Sequence, residues 1–319
     1  MPIARRTLLA TAFAAPTLTH AQPRWPDRPV RLIVPYGPGG NSDTIARLMQ
    51  NRIAEFLGQP LVIENRSGAG GTVGAGVVAQ APADGYTFLI DSAAYLIVPH
   101  AVRNPGFDHA NAFASVGHVV DQPYVLVVGS GTGIRDFPAF LARARAEEMH
   151  YGSPGHGSVG HLAGALLAQR SGARLAHVPY RGGQDAARDV AAGTLPAAML
   201  STNSADPLLQ GGRAAALALT SAERRGGPPG VPTIAELGFP GFDVPSWNAV
   251  FARRGTPAPI LARMAEALNH ATSDPAVQAG LARIGAVVVR ADPEASAARL
   301  ARERTLVAQV IREANIVFD

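Results

Sequence analysis

The sequence predicts an α/β protein of two lobes, each a mostly parallel sheet flanked by helices, joined by a two-strand hinge. Three observations lead there. From Val30 onward, short β-branched runs alternate with turns and amphipathic helical stretches, the pattern of a sheet covered on both faces. The pattern restarts at Tyr124, and 319 residues suffice for two lobes of ordinary size. Apolar strands near Tyr124 and Trp247 bracket the middle segment, which puts a cleft between the lobes. Residues 22–121 and 245–319 are assigned to the first lobe, 122–244 to the second, and 1–21 to a leader.

Residues 30–34 (Val-Arg-Leu-Ile-Val) read as the first strand, stopped by Pro35-Tyr36-Gly37-Pro38-Gly39-Gly40. Ile45, Leu48, Met49, Ile53, Phe56 and Leu57 then recur at helical spacing, with Ser42 or Asp43 placed to cap the start and Gly58 the end. Strand 61–64, a turn at 65–71, a small-residue helix 72–80 and strand 86–90 complete the first series. The second opens with strand 124–128 and helix 136–148. A strand near His150, the turn 152–157, helix 159–170 and strand 175–178 follow. Helix 185–192 and strands 197–200 and 214–219 close it. Val178-Pro179-Tyr180-Arg181-Gly182-Gly183 echoes Val34-Pro35-Tyr36-Gly37, which predicts equivalent turns in the two halves. An extended run at 242–251 and helices 260–272, 275–284 and 293–315 end the chain.

Composition removes whole classes of chemistry. All 28 basic residues are arginine, so a Walker A loop, a Schiff base and a Ser-Lys dyad are excluded. No cysteine is present, which excludes thiol nucleophiles, disulfides and cysteine-type zinc sites. The arginines form no stripe, and a formal charge of +4 gives no reason to expect a nucleic-acid partner. Arg5 and Arg6 ahead of a modestly apolar stretch, with Thr19-His20-Ala21 suited to a signal peptidase, predict cleavage after Ala21. Export to the periplasm is expected, by the twin-arginine or the ordinary route.

Two glycine-rich turns lead into helices, at 37–43 and 153–158. Helix N-termini present unpartnered N–H groups and a partial positive charge, and glycine lets a ligand approach. The pair predicts a carboxylate held between lobes, with Asn41, Ser42, Ser153 and Ser158 adding neutral donors. Other motifs fail. Gly68-Ala69-Gly70-Gly71-Thr72-Val73 has valine where a dinucleotide fingerprint needs its third glycine. Gly157-Ser158-Val159-Gly160 lacks the glycine that a nucleophile elbow requires at His156. His156 and His161 do not match a metalloprotease spacing, so no metal and no cofactor are expected.

The chain resembles the Bug-type solute receptors of tripartite tricarboxylate transporters over nearly its whole mature length. The resemblance is carried by Trp25-Pro26-Asp27-Arg28-Pro29-Val30, Gly39-Gly40-Asn41-Ser42-Asp43-Thr44, Glu64-Asn65-Arg66-Ser67-Gly68-Ala69-Gly70-Gly71, Gly160-His161-Leu162-Ala163-Gly164 and His177-Val178-Pro179-Tyr180-Arg181-Gly182-Gly183. It implies a periplasmic-binding-protein-like (type II) fold that closes on a small organic anion without catalysis and docks on integral-membrane transporter subunits. Carried over by position, it implies contacts from Tyr36, Gly37, Gly39, Gly40, Asn41 and Ser42 in the first turn. Ser92 and Ala93, with neighbouring Asp91, would come from the third strand. Ser153, Gly155, Gly157, Ser158 and His161 would come from the second turn, and Tyr180, Arg181, Gly182 and Ser201 from the rest of the second lobe. The sequence departs from the family at Asp91, often glycine, and at Leu200, often aspartate. Asp91 either pairs with an ammonium or ring nitrogen of the cargo or caps a turn. The cargo classes left open are a dicarboxylate, an amino acid and an aromatic acid. Two other functions remain in view, a sensor for a signalling partner and an exported hydrolase using Ser158 and His161.

Overall fold

The computed structural model describes residues 25–102, 106–244 and 246–313, so the expected leader at 1–21 lies outside the described residues. In the first sheet, strands β1 (Val30–Val34), β2 (Leu61–Asn65) and β3 (Thr87–Ser92) alternate with helices α1 (Asn41–Leu57), α2 (Thr72–Gln80) and α3 (Ala94–Ala101). Strand β4 (Phe113–Asp121) then leads to β5 (Tyr124–Gly129), which opens the second sheet. There follow α4 (Phe137–Ala146), β6 (Met149–Ser153), α5 (Val159–Ser171), β7 (Leu175–Pro179), α6 (Gly183–Ala192), β8 (Ala197–Ser201), α7 (Thr202–Gln210) and β9 (Ala214–Leu219). The chain returns through β10 (Trp247–Arg253), α8 (Ala258–Ser273), α9 (Pro275–Arg283), β11 (Val287–Val288) and α10 (Pro293–Glu313).

The strand orders are β11-β4-β10-β3-β1-β2 and β7-β6-β8-β5-β9. Tracing the pairings, β1 to β4 run one way in the first sheet, and β6 to β9 run one way in the second. The central strand opposed to each set, β10 or β5, is the one whose chain has just crossed from the other sheet. The strands at Tyr124 and Trp247 therefore belong to different sheets. What lies side by side at the crossing are the connections, where Gln122 N–H donates to Ser246 O at 3.0 Å.

Period-two patterning explains the layers. Val30, Leu32 and Val34 pack with Ile45, Met49 and Leu268 on the α1 and α8 side, while Ile33 packs with Ala75 and Val78 of α2. In β5, Tyr124, Leu126 and Val128 face one layer and Val125 and Val127 the other, with Val190 and Leu208 of α6 and α7. These two-sided cores place every β-to-α turn of the parallel strands at one end of each sheet, where α/β proteins hold ligands.

Candidate functional site

The turn after β1 is built around Asp43. Its carboxylate accepts the Gly39 N–H at 2.8 Å, Arg47 Nε at 2.9 Å and Asn65 Nδ2 at 2.9 Å, and the residue is 1% exposed. Burial pushes this carboxyl up, but the bonds from Arg47, Gly39 and Asn65 outweigh it and hold the group below its ordinary range. Asp43 thus fixes the turn rather than facing the ligand. The helix starts at Asn41, with Gly40 as an N-cap that has no side chain to offer, so the first N–H groups of α1 keep no side-chain cap. Glycine keeps this turn tight, since a β-carbon at Gly40 would sit 3.1 Å from the Gly37 carbonyl oxygen.

Asn41 and Ser42 are oriented from below by Asn248 of β10, which is 1% exposed. Its Nδ2 donates to Ser42 Oγ at 2.7 Å and to Asp91 O at 3.4 Å, and its Oδ1 accepts Asn41 Nδ2 at 3.0 Å. Tyr36 Oη donates to Asp91 Oδ1 at 3.0 Å and lies 3.3 Å from Ser92 Oγ. Asp91 also accepts the Ser92 N–H at 2.7 Å. Burial raises its carboxyl to about 7, against the lowering effect of the Ser92 and Tyr36 bonds.

In the second lobe Ser158 is the N-cap of α5 and accepts the His161 N–H at 3.2 Å, while its hydroxyl donates to Ser153 Oγ at 3.0 Å. Ser153, fully buried, also bonds Gly155 and lies 2.6 Å from His177 Nε2. The His161 and His177 imidazoles are pushed down to about 3 and about 4, first by burial and then by the neighbouring rings, so both are neutral at pH 7. Tyr180 Oη donates to Asp189 at 2.7 Å, in the turn after the edge strand β7, whereas Tyr36 follows the inner strand β1, so the equivalence predicted from the Val-Pro-Tyr echo does not hold.

These pieces meet in a cavity of about 250 Å³. Tyr36, Gly37, Gly40, Asn41, Ser42 and Ser92 line it from the first lobe, and Ser158, Arg181, Gly182 and Ser201 from the second. The N-terminal turns of α1, α6 and α7 and the Ser158 cap of α5 all open on it, so four helix dipoles favour an anion. The lobes touch over it, with Asn203 Nδ2 donating to Thr44 Oγ1 at 3.2 Å and Gln184 Nε2 to Gly39 O at 3.5 Å.

Other predicted contacts fall elsewhere. Asp91 and Ala93 lie behind the cavity wall, 3% and 1% exposed, and Ser153, Gly157 and His161 lie beneath the second turn. Gly39 faces outward, and Gly155 and Tyr180 line a neighbouring cavity of about 760 Å³, shared with His156 and Gly68 to Gly71. Asp91 takes neither role weighed from the sequence in pure form, since it holds the tyrosine that touches the cavity. Ser67, Tyr124, Gln184, Asp185 and Ser204 line the cavity without having been singled out.

The family model for the tripartite tricarboxylate transporter family receptor matches residues 45–316. The chain belongs to this receptor family. Among its relatives, BugT of Bordetella pertussis is 34% identical over 310 residues, covering 96% of this chain and 94% of BugT. A structure from R. palustris with adipate is 34% identical, with a TM-score of 0.86, over 92% of this chain and 99% of that one. MatC from Rhodopseudomonas palustris with bound malate is 31% identical, with a TM-score of 0.79, over 92% and 100%. Members of this family are periplasmic solute-binding proteins, and this receptor shares their two-lobed fold. No helix among its described residues is long and apolar enough to cross a membrane.

Proposed function

We propose that this receptor captures a small organic carboxylate in the cavity between its lobes and presents it, closed and chemically unchanged, to integral-membrane transporter subunits. The observation that carries the reading is the lining. Neutral hydroxyl, amide and backbone donors from both lobes converge on one cavity, with Arg181 the sole cation and Asp185 the sole carboxylate among its lining residues. Neutral donors at helix N-termini can hold a carboxylate without a buried ion pair, which favours release as well as capture. About 250 Å³ is below the range of drug-sized sites and suits a compact acid. The adipate and malate held by the two structural relatives belong to that class.

The state of Ser158 supports capture over the exported-hydrolase reading. Its hydroxyl hydrogen is committed to Ser153 and its oxygen caps α5, the geometry of a cap rather than of an activated nucleophile. Asn41 Oδ1 is buried with no hydrogen-bond partner among the described residues. A cargo bearing a hydroxyl or ammonium donor beside its carboxylate would satisfy it, which favours a hydroxy acid or amino acid over a plain dicarboxylate.

The test is a thermal-shift series on protein freed of co-purified ligand, with adipate, malate, glutamate and nicotinate. At least one acid should stabilise the receptor by about 2.7 kcal/mol at a hundred times its Kd, a shift of several degrees. Malate or glutamate should outperform adipate, and the acid should be recovered intact. No shift with any of the four, or conversion of the acid, would overturn the proposal.

A further inference from the structure

Three histidines of the second lobe converge outside the organic-acid cavity. His156 sits in the turn between β6 and α5, His161 in the first turn of α5, and His177 on β7, opposite Tyr151 in the parallel β6–β7 ladder. One ring nitrogen of each lies within 4.8 Å of one on each of the others. The rings of His161 and His177 stack at 3.6 Å and 12°, and His156 stands edge-on to both at 5.6 and 5.4 Å. Ser153, fully buried, holds His177 through the 2.6 Å contact to Nε2, the kind of outer partner that orients a metal-bound imidazole. His156 also lines the 760 Å³ cavity, which supplies a route for an ion and its waters.

We propose that His156, His161 and His177 bind one late first-row divalent cation, Zn²⁺ or Ni²⁺, with solvent from the neighbouring cavity completing its coordination. Three imidazoles without thiolate or carboxylate suit these ions rather than Mg²⁺ or Ca²⁺. Two nitrogens held about 2.1 Å from one ion in a tetrahedral site are about 3.4 Å apart, so the separations close by at most roughly 1.4 Å on binding. His156 is the ring free to make that move, and His161 must also turn out of its 3.6 Å stack on His177, because the in-plane lone pairs of two stacked rings do not meet at one ion. His156 is reachable from solvent and flanked by Gly155 and Gly157, with φ of 136° and 68°. The 3.3 Å bond from the Gly157 N–H to His161 Nδ1 is long and yields readily to a cation. The sequence expectation of no metal weighed only His156 and His161. The third ligand comes from the next strand, and only the β6–β7 pairing brings it in.

The inference uses no residue that lines the organic-acid cavity, so it stands or falls apart from the carboxylate reading. The experiment is isothermal titration of Zn²⁺ into mature, tag-free, chelator-stripped receptor in a buffer free of carboxylates. Saturable binding of one ion per chain is expected, weakened about 100-fold in His156→Ala. That variant changes an accessible turn residue and should melt within a degree of the metal-free parent. His177→Gln, which keeps a hydrogen-bonding group for Ser153, provides the second arm and should lose binding likewise. Absence of saturation with both Zn²⁺ and Ni²⁺, or equal affinity in the parent and both variants, would overturn the site.

Discussion

An Asn248→Leu receptor should bind its organic acid about 100-fold more weakly than the parent, although Asn248 does not line the cavity. Among the described residues the amide hydrogen-bonds β10 to the first turn of α1, accepting from Asn41 and donating to Ser42. Leucine keeps the branching of asparagine but is bulkier, so Asn248→Ala serves as a second variant that separates lost hydrogen bonds from overpacking. Asn41 then loses its acceptor and Ser42 its donor, and each buried orphan costs about 1–3 kcal/mol. Part of that cost appears as a melting temperature several degrees lower. The rest appears in affinity, because the two side chains no longer hold the orientation in which they meet a carboxylate. Loss of about 1.4 kcal/mol from each of the two gives the 100-fold figure. Calorimetry with the best acid from the thermal-shift series checks it. Unchanged affinity beside a lowered melting temperature would show Asn248 to be a fold residue alone.

Asn248 also marks the boundary of what the sequence discloses. Its role depends on β10 returning from the second lobe to lie antiparallel to β3, with Asn248 opposite Ser92, and nothing local to residue 248 announces that register. Where structure is decided locally, reading succeeds. The small-residue helix at 72–80 matches α2, and Gly58, expected to end the first helix, ends α1 in a left-handed conformation. The Val-Pro-Tyr echo is a local likeness only: β1 lies second from the edge of its sheet and matches β6, whereas β7 is an edge strand that matches β2, so the two turns are not equivalent. Reading fails where distant packing decides. Strand β4, absent from the elements predicted above, carries Gly117, where a β-carbon would lie 2.6 Å from that of Ala291, so the glycine makes room for the chain ahead of α10. Helix α7 opens on Thr202-Asn203-Ser204 and contains Pro207, a sequence that reads as a loop. Missing it also hid Ser204, on the cavity wall. The site was legible as glycine-rich turns with neutral donors. Which of those donors face the cavity and which, like Ser153, brace the turn from beneath required the packed structure.

The receptor should lose stability in mild acid, and Asp91 should oppose that loss. His109 and His118 are 5% and 2% exposed, and burial, followed by the nearby Arg304 and Arg299 respectively, lowers them to about 4 and about 3. A group with a lowered folded pKa binds its proton more readily in the unfolded chain. The stability it contributes is therefore present above about 6.5 and drains away as pH falls toward the folded value. From pH 7 to pH 4.5 each histidine should cost roughly 2–3 kcal/mol, a large share of a typical 5–15 kcal/mol. Asp91 has the opposite sign. Raised to about 7, it binds a proton more readily in the folded chain, so its contribution is full near pH 4 and lost as pH rises through 7. Asp91→Asn removes this term while keeping an acceptor for Tyr36 and the Ser92 N–H. The variant should gain about 2–3 kcal/mol more over the parent at pH 8 than at pH 5, and its own stability should fall more steeply in acid. Denaturant unfolding at the two pH values measures both slopes. Parallel pH profiles for parent and variant would mean that the Asp91 carboxyl titrates as an ordinary exposed acid, and that the Tyr36 hydroxyl is not held by a buried, proton-sharing partner behind the cavity wall.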